Sequence, residues 1–225
     1  MPTGSTHSVA PDPAIKHVSD TAFWVASFRA FAGQRSDSAF SDPFAALLSG
    51  DRGRAIARSM SCTAMVEWSV IIRTSAIDRP VTEALAAGVD TVLNLGAGLD
   101  SRPYRMSLPA LLRWVELDFP TIVDFKNAKL IEQQPICALE RVGIDLRDRA
   151  ARNRIIGLYA ATSRNMLVIT EGLRIGSVSL SATDGGRLIR SRASWNRGGS
   201  IDPIRSTFLT VYCFARFQRQ CAKRY

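Results

Sequence analysis

The sequence lacks long apolar runs. None of the apolar stretches in its 225 residues approaches the roughly 18 residues that a membrane-spanning helix requires. The N-terminus, MPTGSTHSVAPDPAIKHVSD, also lacks the charged and then apolar pattern of a secretory signal. Both absences favour a cytoplasmic protein and disfavour a membrane partner.

Cysteine and histidine are scarce, and their positions argue against several kinds of site. The sequence contains four cysteines with no C-x-x-C pair, namely Cys62, Cys137, Cys213 and Cys221. This spacing argues against a disulfide framework and against a zinc site, so we expect no metal. The two histidines, His7 and His17, lie close to the N-terminus, and we assign them no catalytic role.

Acidic residues are nearly absent from the C-terminal segment. Residues 174–225 contain ten Lys and Arg residues against two Asp residues, within a net charge of +9. The preceding residues therefore contain nineteen basic residues against eighteen acidic ones. Because the basic excess lies in one terminal segment, the charge does not indicate a nucleic-acid partner.

The chain begins with a predicted leader and a helical region. Residues 1–20 are expected to form a flexible leader, and residues 21–88 are expected to form helices. A periodic set of apolar side chains predicts the first helix: Phe23, Trp24, Phe28 and Phe31. SDPFAALL predicts a second helix. MVEWSVIIRTSAIDRPVTEALAAG predicts a third, broken or kinked at Pro80 and ended by Gly88.

Strand and helix patterns alternate after this region. The predicted strands are VDTVLNLGAG, RWVELD, part of ICALERVGIDL, and NMLVITEGL. The helical candidates between them are SRPYRMSLPALL, which its prolines interrupt, FPTIVDFKNAKLIEQ and LRDRAARNRIIGLYAATS. This alternation predicts an α/β fold with a parallel sheet covered on both faces. Ligands of such folds bind beyond the carboxyl ends of the strands.

The alternation stops in residues 174–225. This segment is rich in Ser, Arg and Gly, which predicts loop or disorder. One apolar stretch in it, TFLTVYCFARF at 207–217, could form one strand or a short helix. We therefore expect the folded domain to span residues 21–173, with its C-terminal strands incomplete.

A glycine turn follows the first predicted strand. Gly96 and Gly98, with Ala97 between them, lie where the chain must turn, and glycine lets the backbone approach a ligand there. The alternative is a tight turn without a ligand. Asp118 ends the second strand, where an acid can accept hydrogen bonds from both hydroxyls of a ribose. Glu116 lies on the same strand face, so either acid could serve, and we favour Asp118.

The third glycine of the dinucleotide fingerprint is missing, because position 101 is serine. That glycine lets a helix pack close under a pyrophosphate, so its absence favours S-adenosylmethionine, which has no phosphates, over NAD. Asp145 and Leu146 follow the third strand and could contact the amino group and ring of an adenine. Asp145 could instead cap the next helix.

Two further candidates come from the fourth strand and the third helix. Glu171 ends the fourth strand, where the sheet faces the reacting end of a cofactor. The alternative interpretation is that Glu171 is a solvent-exposed acid at the end of a strand. Arg73 has apolar neighbours in its helix and could hold a carboxylate through two hydrogen bonds. The alternative for Arg73 is an ordinary surface arginine.

Six motifs resemble the leucine carboxyl methyltransferase-like family in their order and spacing. They are FRAFAGQRSDSAFSDPFAALL, IIRTSAID, VLNLGAGLDSRPYRM, RWVELDFPTIVDFKNAKL, GIDLRD and VITEGL. More closely, these motifs resemble the bacterial branch of S-adenosylmethionine-dependent O-methyltransferases that is abundant in mycobacteria and other actinobacteria. The resemblance extends from about Ser19 to Leu173.

This resemblance implies a class I methyltransferase fold, which is Rossmann-like, with additional N-terminal helices over the cofactor. It also implies cofactor contacts: Arg73 with the methionine carboxylate, Gly96 and Gly98 under the cofactor, Asp118 with the ribose, Asp145 and Leu146 with the adenine, and Glu171 near the methionine. Characterised relatives methylate carboxyl groups, but the resemblance does not imply which acceptor the bacterial branch uses.

The resemblance stops after TEGL, where the family continues with further strands and a substrate lid. An abrupt stop together with a rise in Arg, Ser and Gly is what a shifted reading frame would produce. We therefore hypothesise a frameshift near codon 173 or 174. Restoring the frame in the coding DNA should recover strand and lid motifs, and finding none would refute the hypothesis.

We thus expect a methyltransferase that acts on a carboxylate or hydroxyl of a small molecule or peptide. The alternative is a truncated, non-catalytic remnant that at most binds S-adenosylmethionine or a partner. An NAD-dependent oxidoreductase is disfavoured by the missing glycine and by the absence of a Tyr-x-x-x-Lys motif or an active-site histidine.

Overall fold

The structure is a computed structural model that describes part of the chain. The described residues are 19–35, 38, 40–59 and 63–171, together with the backbone of residues 209–213. The predicted leader up to residue 18, the site of the hypothesised frameshift and most of the predicted tail lie outside them. His7, His17, Cys62, Leu173 and Cys221, which are named above, also lie outside them.

The predicted strands form one parallel sheet. Its strands are β1 (Thr91–Leu95), β2 (Arg113–Asp118), β3 (Ala138–Gly143), β4 (Met166–Glu171) and β5 (Leu209–Cys213). They are hydrogen-bonded in the order β3-β2-β1-β4-β5, with every pair parallel. The predicted α/β fold is confirmed. TFLTVYCFARF contributes a strand rather than a helix, because its backbone extends the sheet beside β4.

The described part of the chain contains the predicted helices with two corrections. The helices are α1 (Asp20–Gly33), α2 (Ala45–Ser59), α3 (Thr63–Ala86), α4 (Arg102–Arg105), α5 (Pro120–Lys129) and α6 (Arg149–Thr162). The first correction concerns SRPYRMSLPALL, in which only the four-residue α4 is helical. Proline at position 109 disfavours a helical conformation at Leu108, so the helix cannot extend through this segment. Among the helices of the described residues, none has both the length and the apolar composition that a membrane span requires.

The second correction concerns Pro80: α3 runs unbroken from Thr63 to Ala86, so the predicted alternative of a break at Pro80 is wrong. Pro80 has no N–H to donate to the carbonyl of Ala76, four residues earlier. Ala76 is exposed, so water can satisfy that carbonyl and the helix continues to Ala86. Gly88 follows with a φ of 90°, the left-handed conformation that the sequence predicts at the helix end.

Apolar side chains pack on both faces of the sheet. On one face, Val92 and Trp114 pack against Ile77 of α3. On the other, Leu93 and Val115 pack against Ile156 of α6. Side chains alternate between the faces along each strand. This alternation places the polar residues at and near the carboxyl ends of the strands on one face of the sheet.

That polar face is the one that α3 covers. Asn94, Glu116 and Asp118 have the same parity as Val92 and Trp114 on their strands, and Glu171 has that of Ile169 on β4. The sequence therefore directs all four polar side chains toward the helices of the N-terminal half. The candidate site lies on this face.

The N-terminal helices pack against each other and against α3. Trp24 and Phe28 of α1 form an apolar cluster with Ile56 of α2 and Val70 of α3. Gly53 allows α1 and α2 to approach closely, because a Cβ there would lie 2.5 Å from the carbonyl oxygen of Phe23. The helices form a compact unit beside the sheet.

Candidate functional site

The glycine turn at the end of β1 has the conformation that the sequence predicts. Gly96 has a φ of 67° and Gly98 a φ of 50°, both in the left-handed region that glycine adopts without strain. The amides of Gly96 and Ala97 donate hydrogen bonds of 2.7 and 3.2 Å to the carbonyl of Leu117 on β2. The turn is therefore fixed against the end of the neighbouring strand.

Asp118 faces this turn from the end of β2. Its Oδ2 accepts a hydrogen bond of 2.6 Å from the amide of Gly98, and its Oδ1 accepts one of 2.7 Å from the amide of Phe119. Burial raises the pKa of Asp118 above its ordinary value, although both amide hydrogen bonds oppose that shift. A carboxylate has about four lone-pair positions, so Asp118 can still accept hydroxyl donors.

Glu116 lies deeper on the same face and already has two cationic partners. Its Oε2 accepts hydrogen bonds of 2.8 Å from Nζ of Lys126 and 2.8 Å from Nε of Arg141. Glu116 is 1% exposed, whereas Asp118 is half-buried. This difference supports Asp118 over Glu116 as the ribose-binding acid, which stays a prediction.

Arg73 and Glu171 lie together at the carboxyl end of β4. Nε of Arg73 donates a hydrogen bond of 2.7 Å to Oε1 of Glu171, across 98 positions of sequence. Each side chain is 20% exposed, so the pair lies at the rim of the site. The sequence predicts both residues separately, and the structure brings them into contact.

Arg102 is a site residue that the sequence analysis missed. Its guanidinium contacts three carboxylates: Asp78 at 2.7 Å, Asp100 at 2.7 Å and Glu171 at 3.3 Å. Arg102 is 1% exposed, so these carboxylates replace its hydration. The available signal was the segment GLDSRPYR, which places an acid and an arginine directly after the glycine turn.

A second missed group connects the glycine turn to the N-terminal helices. Oδ2 of Asp42 accepts hydrogen bonds of 2.9 Å from Nε of Arg29 and 2.6 Å from Oγ of Ser101. Arg29 also donates to the carbonyl of Leu99 in the turn. Ser101, at the position of the missing third glycine, thus uses its hydroxyl to join the turn to the chain before α2.

Asp145 and Leu146 lie beyond the end of β3. Asp145 pairs with Arg147 at 2.6 Å, and hydrogen bonds from Arg147 lower the pKa of Asp145. Asp145 does not cap α6, because Asp148 accepts the amide of Ala151 at 3.0 Å and is the cap. The helix-cap alternative for Asp145 is therefore wrong. Leu146 is partly buried against the apolar cluster on the α6 face.

This chain is similar to curated bacterial proteins whose names begin "Putative S-adenosyl-L-methionine-dependent methyltransferase". The protein from Streptomyces coelicolor is 34% identical over 142 residues, which are 57% of this chain and 49% of the relative. The protein from Mycobacterium ulcerans is 35% identical over 176 residues, or 71% and 56% of the two chains. The protein from Streptomyces avermitilis is 32% identical over 186 residues, or 77% and 63%. The chain spans about half the length of the curated relatives it matches.

The family comparison covers both the glycine turn and the ion pairs described above. The model of the family described as leucine carboxyl methyltransferase matches residues 22–175. This range starts in α1 and ends close to Leu173, where the sequence motifs also stop. It covers more than half of the chain, which therefore belongs to the leucine carboxyl methyltransferase family.

Proposed function

We propose that this chain binds S-adenosylmethionine at the carboxyl edge of the sheet and transfers its methyl group to an oxygen. The acceptor oxygen would belong to a carboxylate or a hydroxyl of a small molecule or peptide. The names of the similar bacterial proteins and the family membership support the cofactor. The observation that carries the proposal is the convergence of three features at adjacent strand ends: the glycine turn, Asp118 and the Arg73–Glu171 pair.

The residues at this edge fit the parts of the cofactor. Asp118 retains acceptor positions for the two ribose hydroxyls. Arg73 uses Nε for Glu171, so its two terminal nitrogens can bind a carboxylate end-on. Glu171 supplies negative charge for an ammonium group. We further propose that Asp145 and Leu146 contact the adenine.

The proposed chemistry requires alignment more than acid–base catalysis. When bound, S-adenosylmethionine supplies an electrophilic methyl group on a positively charged sulfur. A carboxylate acceptor is already ionised at neutral pH, so it needs no base to become a nucleophile. The residues of this chain would hold the cofactor at both ends, with Asp118 at the ribose and Arg73 with Glu171 at the amino-acid group. Such alignment of two reactants is worth about 7–11 kcal/mol.

Methyl transfer can be tested with a labelled cofactor. The full chain is incubated with S-adenosylmethionine carrying a deuterated methyl group and with pairs of carboxylic acids and alcohols of the same skeleton. We expect methyl esters of the acids by mass spectrometry, and much less product with Asp118→Ala. Transfer to the alcohols alone would correct the acceptor class, and transfer to neither would contradict the proposed activity.

A second candidate function is binding of S-adenosylmethionine without methyl transfer. The match to the family stops at residue 175, whereas the chain continues for fifty residues that the match does not include. Saturable binding in calorimetry together with no transfer to either acceptor class would support this second candidate.

A further inference from the structure

Glu171 lies between two arginines that differ in exposure. Its Oε1 accepts the hydrogen bond from Arg73, which is partly exposed at the rim. Its Oε2 lies 3.3 Å from Nη1 of Arg102, whose side chain is 2% exposed. One carboxylate therefore links an arginine that a ligand can reach to an arginine that solvent hardly reaches.

Arg102 is held in place by groups on three sides. Its Nε donates to Asp78 and its Nη1 to Asp100, each at 2.7 Å. Its Nη2 lies 3.3 Å from the carbonyl of Thr74, one residue after Arg73 on α3. A guanidinium group is planar and has donors in several fixed directions, so these partners fix its orientation as well as its position.

We propose that Arg102 is a positioning residue: it fixes Glu171, and through Glu171 also Arg73, for the ammonium and carboxylate groups of the cofactor's amino-acid part. This inference rests on the proposed function, because it assumes that the cofactor binds at this edge. Arg102 itself would not contact the cofactor. Its effect would pass through the carboxylate that it shares with Arg73.

The buried cation Arg102 helps to keep the carboxylate of Glu171 ionised. Burial alone would raise the pKa of Glu171, but Arg102 and Arg73 outweigh burial and lower it below the ordinary value. Asp100 opposes them, because it is a second carboxylate near Glu171. If Arg102 were removed, Glu171 would still lie near the carboxylate of Asp100. Of the two arginines that lower its pKa, Arg73 alone would remain to offset this repulsion. Arg73 would then be less available to a ligand carboxylate.

Arg105 offers a matched control on the same short helix. It donates to Asp78 at 2.7 and 2.9 Å, and its side chain is 8% exposed. It therefore resembles Arg102 in charge, burial and its pairing with Asp78. Among the described contacts it does not reach Glu171, which is the difference that the inference requires.

Two ligands separate positioning from general loss of structure. S-Adenosylhomocysteine and methylthioadenosine share the adenosine and an uncharged sulfur, and only the first carries the amino-acid group. Calorimetry with the full chain gives the ratio of the two affinities for the unsubstituted chain, Arg102→Met, Arg102→Lys and Arg105→Met. The thermal unfolding of each variant is measured as a control for stability. If Arg102→Met does not fold, Arg102→Lys replaces it in the comparison.

We expect Arg102→Met to weaken S-adenosylhomocysteine at least about tenfold while the affinity for methylthioadenosine stays within about twofold. Arg102→Lys should recover part of this loss, because it keeps the charge and loses the planar group. Arg105→Met should leave the ratio unchanged even if it lowers stability. In a Glu171→Gln background, Arg102→Lys should have little further effect on the ratio, because the positioning passes through Glu171.

Three results would overturn the inference. Equal losses for both ligands in the Arg102 variants would assign Arg102 a purely structural role. Equal affinities of the unsubstituted chain for both ligands would show that no amino-acid group is recognised here, although the cofactor would still bind. Binding of neither ligand by the unsubstituted chain would overturn the proposed function itself, and the inference with it.

Discussion

The backbone amide of Gly98 donates a hydrogen bond of 2.6 Å to the carboxylate of Asp118. Asp118 ends β2, and Gly98 lies in the turn that follows the neighbouring strand β1, twenty positions earlier in the sequence. This bond orients the carboxylate toward the turn, and it exists because Gly98 adopts a positive φ that presents its amide to Asp118. The conformation of one glycine and the orientation of one acid are therefore coupled.

Replacing Gly98 with alanine should weaken both the turn and the site. The substitution places a side chain in the left-handed region, which costs roughly 1–2 kcal/mol. The new Cβ would also lie 3.2 Å from Cβ of Ala22 on α1. We expect a lower free energy of unfolding in urea and weaker binding of S-adenosylmethionine in calorimetry.

Gly157→Ala is the matched control for this change. Gly157 lies within α6, and an added Cβ there meets nothing within 4 Å. Alanine favours helix over glycine by up to about 1 kcal/mol, so this variant should be as stable as the unsubstituted chain or more stable. Equal stability losses in the two variants would contradict the strain that we predict for a side chain at position 98.

Asp42 should be a major contributor to stability. Its side chain is fully buried, and it pairs with Arg29 and accepts the hydroxyl of Ser101. Asp42→Ala would leave the largely buried Arg29 without this carboxylate, and breaking a buried pair costs about 3–5 kcal/mol. We expect a loss of this order in urea unfolding. Asp51 pairs with Arg54 on the surface and is 87% exposed, so Asp51→Ala should change stability by less than about 1 kcal/mol. Similar effects of the two substitutions would refute the buried role of Asp42.

The stability of the protein should decrease in acid through Asp100 and Glu171. Burial would raise the pKa of Asp100, but Arg102 and Lys126 outweigh it and hold the pKa below the ordinary 3.8. The folded state therefore binds this proton less tightly than the unfolded state. Its stabilising contribution is complete above the unfolded pKa and is lost as the pH falls through the folded pKa. Glu171 acts in the same direction, below its ordinary 4.5.

Asp100→Asn tests this pH dependence. The variant should be less stable at neutral pH, by roughly 3 kcal/mol, because it weakens the compensation of the buried Arg102. Its free energy of unfolding should then fall less steeply than that of the unsubstituted chain between about pH 4 and about pH 2, since one titrating carboxylate is gone. Parallel pH profiles, measured by urea unfolding, would show that Asp100 does not titrate in this way.

Local sequence patterns were enough to predict strands β1 to β4 and the position of several candidate residues at their carboxyl ends. The strands are short apolar runs that end in acids or glycines, so both their positions and the edge at which Asp118 and Glu171 lie follow from the sequence. The turn at Gly96 and Gly98 follows for the same reason, because a positive φ restricts the residue type locally. These features depend on neighbours in the chain.

The ion pairs could not be predicted, because they depend on the packing of distant segments. Arg102 meets Asp78 across 24 positions and Glu171 across 69, and no periodicity specifies those contacts. The continuation of α3 through Pro80 likewise depends on the surroundings of the helix, where Ala76 is exposed, and not on the proline alone. Arg73 was identified as a candidate, but its pairing with Glu171 required the parallel alignment of β4 with β1 and the packing of α3 across their common face.

The most direct test of the proposed site is a calorimetric titration of S-adenosylmethionine into the full chain and into Asp118→Ala. We expect saturable binding of one cofactor per chain, weakened at least about tenfold in Asp118→Ala, because hydrogen bonds to a charged group contribute about 1.5–3 kcal/mol. Asp124→Ala removes an exposed carboxylate of α5 and should leave the affinity unchanged. No binding to the unsubstituted chain, or equal affinity in Asp118→Ala, would contradict the assignment of this edge as the cofactor site.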